Sequence, residues 1–176
     1  KPYATLERVD FNNDIHNNTA LILKGLQVAP IVKLPTALVV PNGTFDNNIN
    51  GWTFDPILTN ATATASWNSG TLKIDSGSAV GLPEVYAQLN TINGTSYTIS
   101  LDVNLIGNQW YQIWVVTDPQ DIWNTYIVPH TTVNGPSNTT ETVTFTAGAD
   151  DLYILIRVGF TASESIIIDN VISTGP

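Results

Sequence analysis

The chain has 176 residues, which is enough for one domain with its own core, and 43% of them are hydrophobic. Charged residues make up only 12%, and six Lys and Arg stand against 15 Asp and Glu, a formal charge of -9. This acidic balance argues against binding to a nucleic-acid backbone and favours cations as partners. Cysteine is absent, which excludes disulfides, thiolate metal sites and a cysteine nucleophile.

The first forty residues differ from the rest of the chain. Two extended apolar pieces, 3–11 and 20–28, are separated by Asn-rich sequence and followed by a Pro-punctuated stretch. We therefore divide the chain into an N-terminal arm, residues 1–40, and a domain, residues 41–176. Pro30, Lys33 and Pro35 interrupt the longest apolar run, so we expect no insertion into a membrane. A chain that starts at Lys1 and lacks Met has been cut, by a signal peptidase or artificially, and we expect a secreted, extracellular protein.

From Thr71 onward, runs rich in Ile, Val, Tyr, Trp and Thr recur between Gly, Asn and Pro residues. This pattern is typical of short antiparallel strands, and no long helical period competes with it. The predicted strands are 62–67, 71–75, 84–89, 96–105, 109–117, 125–128, 139–146, 152–159 and 165–173. Strands of this number and length predict an all-β fold, an antiparallel β-sandwich or jelly roll with an extended N-terminal arm.

Alternation of apolar and polar residues predicts which side chains point into the core. It is regular over 97–103, and a second inward row runs from Leu152 to Val158. The segment 109–117 differs because both of its faces are apolar: one carries Tyr111, Ile113 and Val115, and the other carries Trp110, Gln112 and Trp114.

Three segments resemble the carbohydrate-binding modules of the family 4, 9 and 22 type: NGTFDNNINGW (42–52), VYAQLNTINGTSYTISLDVN (85–104) and IIIDNVIS (166–173). The resemblance covers residues 40–174 and implies a jelly roll whose opening and closing strands share a structural calcium ion. Asp46 and Asp169 occupy the matching positions, with a backbone carbonyl near Thr44 as a further ligand. Oxygen ligands of this kind suit a hard cation. The alternative is that Asp46 caps a turn and Asp169 is a solvated acid.

Other carboxylates lie close together in sequence and are candidates for further calcium ligands. They are Asp118 with Asp121, the pair Asp150 and Asp151, and Asp10 with Asp14. This spacing occurs in calcium loops and equally in ordinary solvated turns.

The resemblance also implies a way of binding sugars, by aromatic faces that stack on sugar rings beside hydrogen-bonding side chains. The candidates are Trp110, Gln112, Trp114, Tyr86 and Gln88, and Trp123, Tyr126 and Arg157 are possible additions. The alternative is that both tryptophans of 109–117 are covered by neighbouring structure, since large exposed aromatic patches are rare.

The arm indicates assembly. A jelly roll with an apolar, strand-prone extension resembles subunits that polymerise by donor-strand complementation, in which an arm completes a neighbour's sheet. In architecture and composition the chain is similar to the subunits of archaeal extracellular tubules called cannulae, which depend on calcium. The donated side chains would be Leu6, Val9, Phe11, Leu21, Leu23, Leu26 and Val28. The alternative is an arm that folds back as an ordinary first strand.

We therefore predict a structural subunit of an extracellular filament or tubule, a homopolymer joined through the arm and stabilised by calcium. The alternative function is a glycan-binding module, free-standing or part of an adhesin or virion fibre. We expect no enzymatic activity, because the two histidines, His16 and His130, provide no frame for a catalytic triad or a histidine metal cluster. A glycosidase would need two carboxylates on opposite sides of a sugar bond, a role that Glu84 and Asp102 could be given from the sequence alone.

Overall fold

A computed structural model describes residues 40–56, 62–77, 81–159 and 163–174, without the side chains of 129–131 and 174. Residues 1–39 of the arm lie outside these ranges and only Val40 is described, so the predicted domain boundary and the donor-strand hypothesis stay predictions. This applies to Asp10, Asp14 and the donor residues Leu6, Val9, Phe11, Leu21, Leu23, Leu26 and Val28.

The described residues form two five-stranded sheets and one short helix. The strands are β1 (Trp52–Asp55), β2 (Thr64–Trp67), β3 (Leu72–Asp75), β4 (Glu84–Gln88), β5 (Ser96–Ile106), β6 (Trp110–Val116), β7 (Tyr126–Asn134), β8 (Ser137–Thr146), β9 (Tyr153–Gly159) and β10 (Ser165–Thr174), and the helix is α1 (Ile122–Thr125). Sheet A has the order β1-β4-β9-β6-β7, and sheet B has the order β2-β3-β10-β5-β8. The pairs that join the strands are antiparallel. The prediction of an all-β antiparallel sandwich is confirmed.

The predicted strands correspond to β2 through β10, with errors at three places. The four residues of β1 were missed, because so short a strand shows little alternation. The helix α1 was not predicted. Strand β7 continues to Asn134 although the sequence argued for an end at Val128, before Pro129. The register of β7 against β6 shifts near this proline. β7 is also an outer strand of its sheet, where a missing N–H is tolerated.

The core lies between the sheets and follows the predicted alternation. Tyr97, Ile99, Leu101 and Val103 of β5 are all at most 1% exposed. They meet inward rows from sheet A that comprise Leu152, Ile154, Ile156 and Val158, and Tyr111, Ile113 and Val115. Each large side chain so buried contributes about 1.5–3 kcal/mol to folding before ordering entropy is subtracted. The core therefore fixes which side chains of sheet A point outward.

The chain enters the sandwich through the loop 41–51, which packs against the last strand. The backbone N–H of Val171 donates to the carbonyl of Gly43 at 2.9 Å. A Cβ on Gly43 would overlap the Val171 carbonyl oxygen, so only glycine allows this approach. Phe45 is completely buried in the same loop, and its carbonyl accepts a hydrogen bond from the indole of Trp67 at 2.6 Å. In the described part of the chain, no helix has the length and apolar character needed to cross a membrane.

Candidate functional site

The outer face of sheet A carries a row of polar side chains that crosses all five strands. Each member is the direct cross-strand partner of the next, and these residues alternate with core residues along their strands. In order from β7 to β1 they are Thr132, Gln112, Arg157, Glu84 and Asp55. The side-chain amide of Gln112 donates to the hydroxyl of Thr132 at 3.0 Å, which links the β6 and β7 members.

The centre of this row is a buried ion pair. Glu84 is 1% exposed and Arg157 is 9% exposed. The Nε of Arg157 donates to Glu84 Oε1 at 2.5 Å, and Arg157 Nη2 contacts the same oxygen. Burial raises the pKa of Glu84, the charge of Arg157 partly opposes this, and the nearby Asp55 adds to the rise. Glu84 therefore takes up a proton at a higher pH than an ordinary glutamate does.

Residues 117–125, which we call the strap, fold back over the outer face of sheet A. Ile122 of the strap is 3% exposed and packs in an apolar cluster with Trp114, Val116 and Leu155. At its far side, the side-chain amide of Gln120 donates to Asp55 Oδ2 at 3.2 Å. The strap thus reaches from β6 to the outermost strand β1, and Trp114, Val116 and Leu155 beneath it are at most 1% exposed.

Two aromatic side chains stand exposed on this face, and both rest on Trp114. Trp123 is 63% exposed and Tyr126 is 49% exposed, whereas Trp114 is 1% exposed. The ring centroids of Trp123 and Tyr126 lie 5.5 and 5.9 Å from that of Trp114, in edge-to-face arrangements. The Cζ of Arg157 lies 5.5 Å from the ring centroid of Trp123, within cation–π range. Ring contacts with Trp114 therefore hold both exposed side chains, and the cation of the ion pair adds a contact to Trp123.

A third aromatic ring, Trp110, lies at the other end of β6. A Cβ added to Gly159 would overlap the Trp110 indole, so the ring lies directly over the backbone of β9. Trp110 is partly exposed there, at the level of the sheet beyond Gln112. The polar row is consequently flanked by Trp110 on one side and by Trp123 on the other.

The structure places the predicted glycan-binding residues on one face, with one correction. Trp110, Gln112 and Trp114 of β6 share the outer face of sheet A with Tyr86 and Gln88 of β4, as their alternation indicates. The expectation that Trp114 stacks directly on a sugar does not fit its burial, because the strap and Tyr126 cover it. This agrees with the alternative for Trp114, and Trp123 and Tyr126 provide the exposed rings instead.

The acids proposed as further calcium ligands take part in turns. Asp118 Oδ1 accepts the backbone N–H of Gln120 at 2.8 Å, and Asp121 Oδ1 accepts the side-chain amide of Asn124 at 2.9 Å. Both therefore stabilise the conformation of the strap. Asp150 Oδ1 accepts the backbone N–H of Asn93 at 2.8 Å and so joins two loops. Its neighbour Asp151 is exposed and has a positive φ of 55°.

The loop with Thr44 and Asp46 lies beside the closing strand, as the proposed calcium site requires. The Gly43–Val171 hydrogen bond brings it to β10, two residues from Asp169. Thr44 Oγ1 donates to Asp46 Oδ2 at 3.1 Å, and Asp169 Oδ1 accepts the backbone N–H of Asn170. Within the described ranges, no three His, Cys, Asp or Glu side chains converge to hold a metal. These oxygens suit calcium only if hydroxyl and carbonyl oxygens complete the ligand set.

Glu84 and Asp102 lie on opposite sides of the sandwich and cannot act on one sugar bond. Glu84 faces outward from sheet A, whereas Asp102 faces outward from sheet B, where it accepts hydrogen bonds from Thr140 at 2.5 Å and Asn170 at 2.8 Å. These bonds hold the pKa of Asp102 below its ordinary value. Glu84 and Asp102 therefore do not form the acid pair of a glycosidase.

Comparison with solved structures identifies the fold as that of carbohydrate-binding modules. A family 4 carbohydrate-binding module shares 18% identity, with a TM-score of 0.59 over 77% of this chain and 99% of the module. The C-terminal family 22 module of Clostridium thermocellum Xyn10B shares 16% identity, with a TM-score of 0.52 over 76% of this chain and 94% of the module. A family 61 module, solved with β-1,4-galactotriose, shares 9% identity, with a TM-score of 0.59 over 78% of this chain and 97% of the module.

These similarities confirm the jelly roll and the resemblance to carbohydrate-binding modules. They are consistent with the prediction of a non-enzymatic chain, since these three matched proteins are named as binding modules. At the sequence level, no family model and no curated protein matches. The comparisons do not show the resemblance to cannula subunits, which stays a prediction.

Proposed function

We propose that the protein is a carbohydrate-binding module, and that its ligand site is the outer face of sheet A. The observation that carries the proposal is the exposed pair Trp123 and Tyr126, supported on Trp114 beside a polar row. Exposed aromatic side chains leave apolar area in contact with water, so a patch of them indicates a binding surface. Their apolar faces are complementary to the C–H faces of sugar rings. The fold shared with named carbohydrate-binding modules supports the same assignment.

The polar row supplies the hydrogen bonds that such a ligand needs. Gln112 is partly exposed and Thr132 is exposed, so both present polar atoms near Trp110. A few polar groups placed among aromatic rings are typical of small-molecule sites. Because Arg157 is already neutralised by Glu84, and because the chain carries a formal charge of -9, we expect neutral rather than acidic sugars.

A panel of neutral and acidic glycans tests the proposal. Wild-type protein should bind at least one neutral glycan, and Trp123→Ala should lose most of that affinity. Trp67→Ala is the matched control, since Trp67 is 45% exposed but belongs to β2 of sheet B. Equal losses in both variants, or no glycan bound by the wild type, would contradict the assignment. A carbohydrate-binding module of this kind is expected to work outside the cell.

The filament hypothesis is supported less well by the described residues. Among the strands at the margins of the two sheets, β1 and β2 have four residues each, and β7 contains Pro129. The ten-residue strand β8 carries Glu141 on its inward side, where it accepts a hydrogen bond from the Tyr111 hydroxyl at 2.9 Å. Short strands, proline and inward-pointing charges all discourage strand addition. Deleting residues 1–40 tests the hypothesis directly: it should abolish polymers and leave sugar binding intact.

Calcium is proposed as a structural ion held by the entry loop and the closing strand. The support is the contact of Gly43 with Val171, which brings Thr44 and Asp46 next to the strand that carries Asp169. Bound there, the ion would join the first described segment of the domain to its last strand. It would stabilise the fold and take no direct part in sugar binding.

A further inference from the structure

A chain of contacts connects the interior of the outer face to its most exposed ring. Glu84 is 1% exposed, so its carboxylate is shielded from a ligand, and its ionic partner is Arg157. The guanidinium of Arg157 in turn lies 5.5 Å from the ring centroid of Trp123. Glu84 thus contacts the cation that contacts the exposed indole.

We propose that Glu84 is a positioning residue of the ligand site, which orients Arg157 and through it fixes Trp123 in the conformation that binds a sugar. The inference rests on the proposed carbohydrate-binding function. It adds a regulatory property to that site, since the position of Trp123 then depends on the ionisation of a buried carboxylate.

The geometry of the ion pair explains how Glu84 can act at a distance. Glu84 and Arg157 are direct cross-strand partners on β4 and β9, and two guanidinium nitrogens contact one carboxylate oxygen. Two contacts to one planar group define its orientation, which a single contact does not. Arg157 has several rotatable bonds, so without this partner its guanidinium has no fixed place beside Trp123.

The groups around Glu84 determine how acid affects this arrangement. β9 contributes the cation Arg157, β1 contributes the acid Asp55, and β6 contributes the neutral Gln112. The strap contributes the neutral Gln120, while its own carboxylates, Asp118 and Asp121, are exposed and occupied in turns. Arg157 is accordingly the stabilising charge for ionised Glu84. Protonation of Glu84 removes the anion that orients Arg157, so we expect weaker sugar binding as the pH falls.

The experiment follows the indole N–H of Trp123 by NMR while the pH is lowered in ligand-free, full-length protein. Trp123→Phe identifies the signal. In the wild type the Trp123 signal should shift as Glu84 titrates, and in Glu84→Gln it should show no such shift and should resemble the acid form at neutral pH. Asp75→Asn is the matched control: it removes the carboxylate of another ion pair, with Lys73 on sheet B, and should leave the wild-type titration unchanged.

A second variant and an affinity measurement complete the test. If Glu84→Gln does not fold, Arg157→Lys keeps the charge, loses the planar fork and should displace the same indole signal. For a glycan that binds the wild type, Glu84→Gln should weaken affinity about two- to tenfold at neutral pH, the range of one cation–π contact, and should have no further effect on Trp123→Phe. An indole signal that ignores pH, or that titrates equally in Glu84→Gln, would overturn the inference. Absence of any glycan ligand would instead overturn the proposed function, while the indole titration still decides the role of Glu84.

Discussion

The outer faces of the two sheets follow the same alternation of inward and outward residues, yet they differ in side-chain size, burial and charge. Sheet B presents hydroxyl-bearing pairs across β5 and β8, with Ser96 and Thr146 at 2.9 Å and Thr98 and Thr144 at 3.0 Å. Their side chains are short, and those of β8 are exposed to solvent. Sheet A presents large aromatic rings, a buried ion pair and a strap that covers part of the face. Sheet B shows that short hydroxyl side chains are sufficient for a sheet face that only contacts water. The large aromatic and charged side chains of sheet A therefore require another explanation.

The strap is what makes the difference. It converts the outer positions Trp114, Val116 and Leu155 into a second small core and leaves Trp123 at the surface. Sheet A is thus buried on both faces near its centre, whereas sheet B is buried on one. Mutations at equivalent outward positions of the two sheets should therefore have very different consequences.

The largest expected effect is on stability at Trp114. Trp114→Ala would leave a cavity beneath the strap and should lower the free energy of unfolding by about 3–5 kcal/mol. Thr144→Ala, at an outward position of β8, removes only an exposed hydrogen bond to Thr98 and should change it by about 1 kcal/mol or less. Urea denaturation of both variants measures the contrast. Similar small losses in both would show that the strap does not form a packed layer on sheet A.

The next effect concerns ligand binding without loss of the fold. Trp123→Ala should reduce affinity for a bound neutral glycan by tenfold or more, about 1.4 kcal/mol, because an exposed stacking ring carries much of such an interaction. Its effect on stability should be small, since 63% of the side chain is already exposed. Calorimetric titration beside a thermal melt separates the two quantities. A large drop in melting temperature with unchanged affinity would assign Trp123 to the fold alone.

The architecture follows from local pattern, which is why the sequence predicts it well. A two-residue period over 97–103 determines which side of β5 faces the core, and no distant information is needed. The same period places Trp110, Gln112 and Trp114 on one outer face. Tyr86 and Gln88 lie on the same face, since β4 and β6 both pair with β9.

The site was predicted less completely, because its decisive contacts are made between distant segments. Glu84 and Arg157 are 73 residues apart, and nothing in either neighbourhood identifies the other as its partner. The four residues of α1 are too few to show a helical period, and Ile122 is buried only because the strap folds back onto β6 and β9. The exposure of Trp123 and the burial of Trp114 therefore depend on tertiary contacts, and alternation alone could not predict which of the two side chains is exposed.

A conditional effect concerns calcium, whose proposed site lies where the entry loop meets sheet B. Adding calcium to chelator-treated protein should raise stability by about 2.7 kcal/mol when the ion is a hundredfold above its dissociation constant. Asp46→Asn and Asp169→Asn should each reduce this gain, whereas Asp118→Asn should not, because Asp118 is engaged within the strap. Thermal melts with and without calcium measure it. If calcium does not change the melting temperature of the wild type, the proposed calcium site is wrong.

The smallest expected effect is a difference in the sign of pH dependence between the two faces. Hydrogen bonds from Thr140 and Asn170 lower the pKa of Asp102, so its contribution to stability is complete above the unfolded-state pKa and is lost as the pH falls through the folded one, below about pH 4. Burial raises the pKa of Glu84 above the ordinary 4.5, so the folded state binds its proton first and stability falls as the pH rises through that window. Unfolding free energies of Asp102→Asn and Glu84→Gln, each subtracted from wild type across pH, should therefore slope in opposite directions. The slope for Asp102 should be slight, since the side chain is partly exposed and solvent screens it. Parallel slopes would mean that the attraction of Arg157 outweighs the burial of Glu84, and the proposed response of Trp123 to acid would then begin only at a pH below the ordinary range of a glutamate.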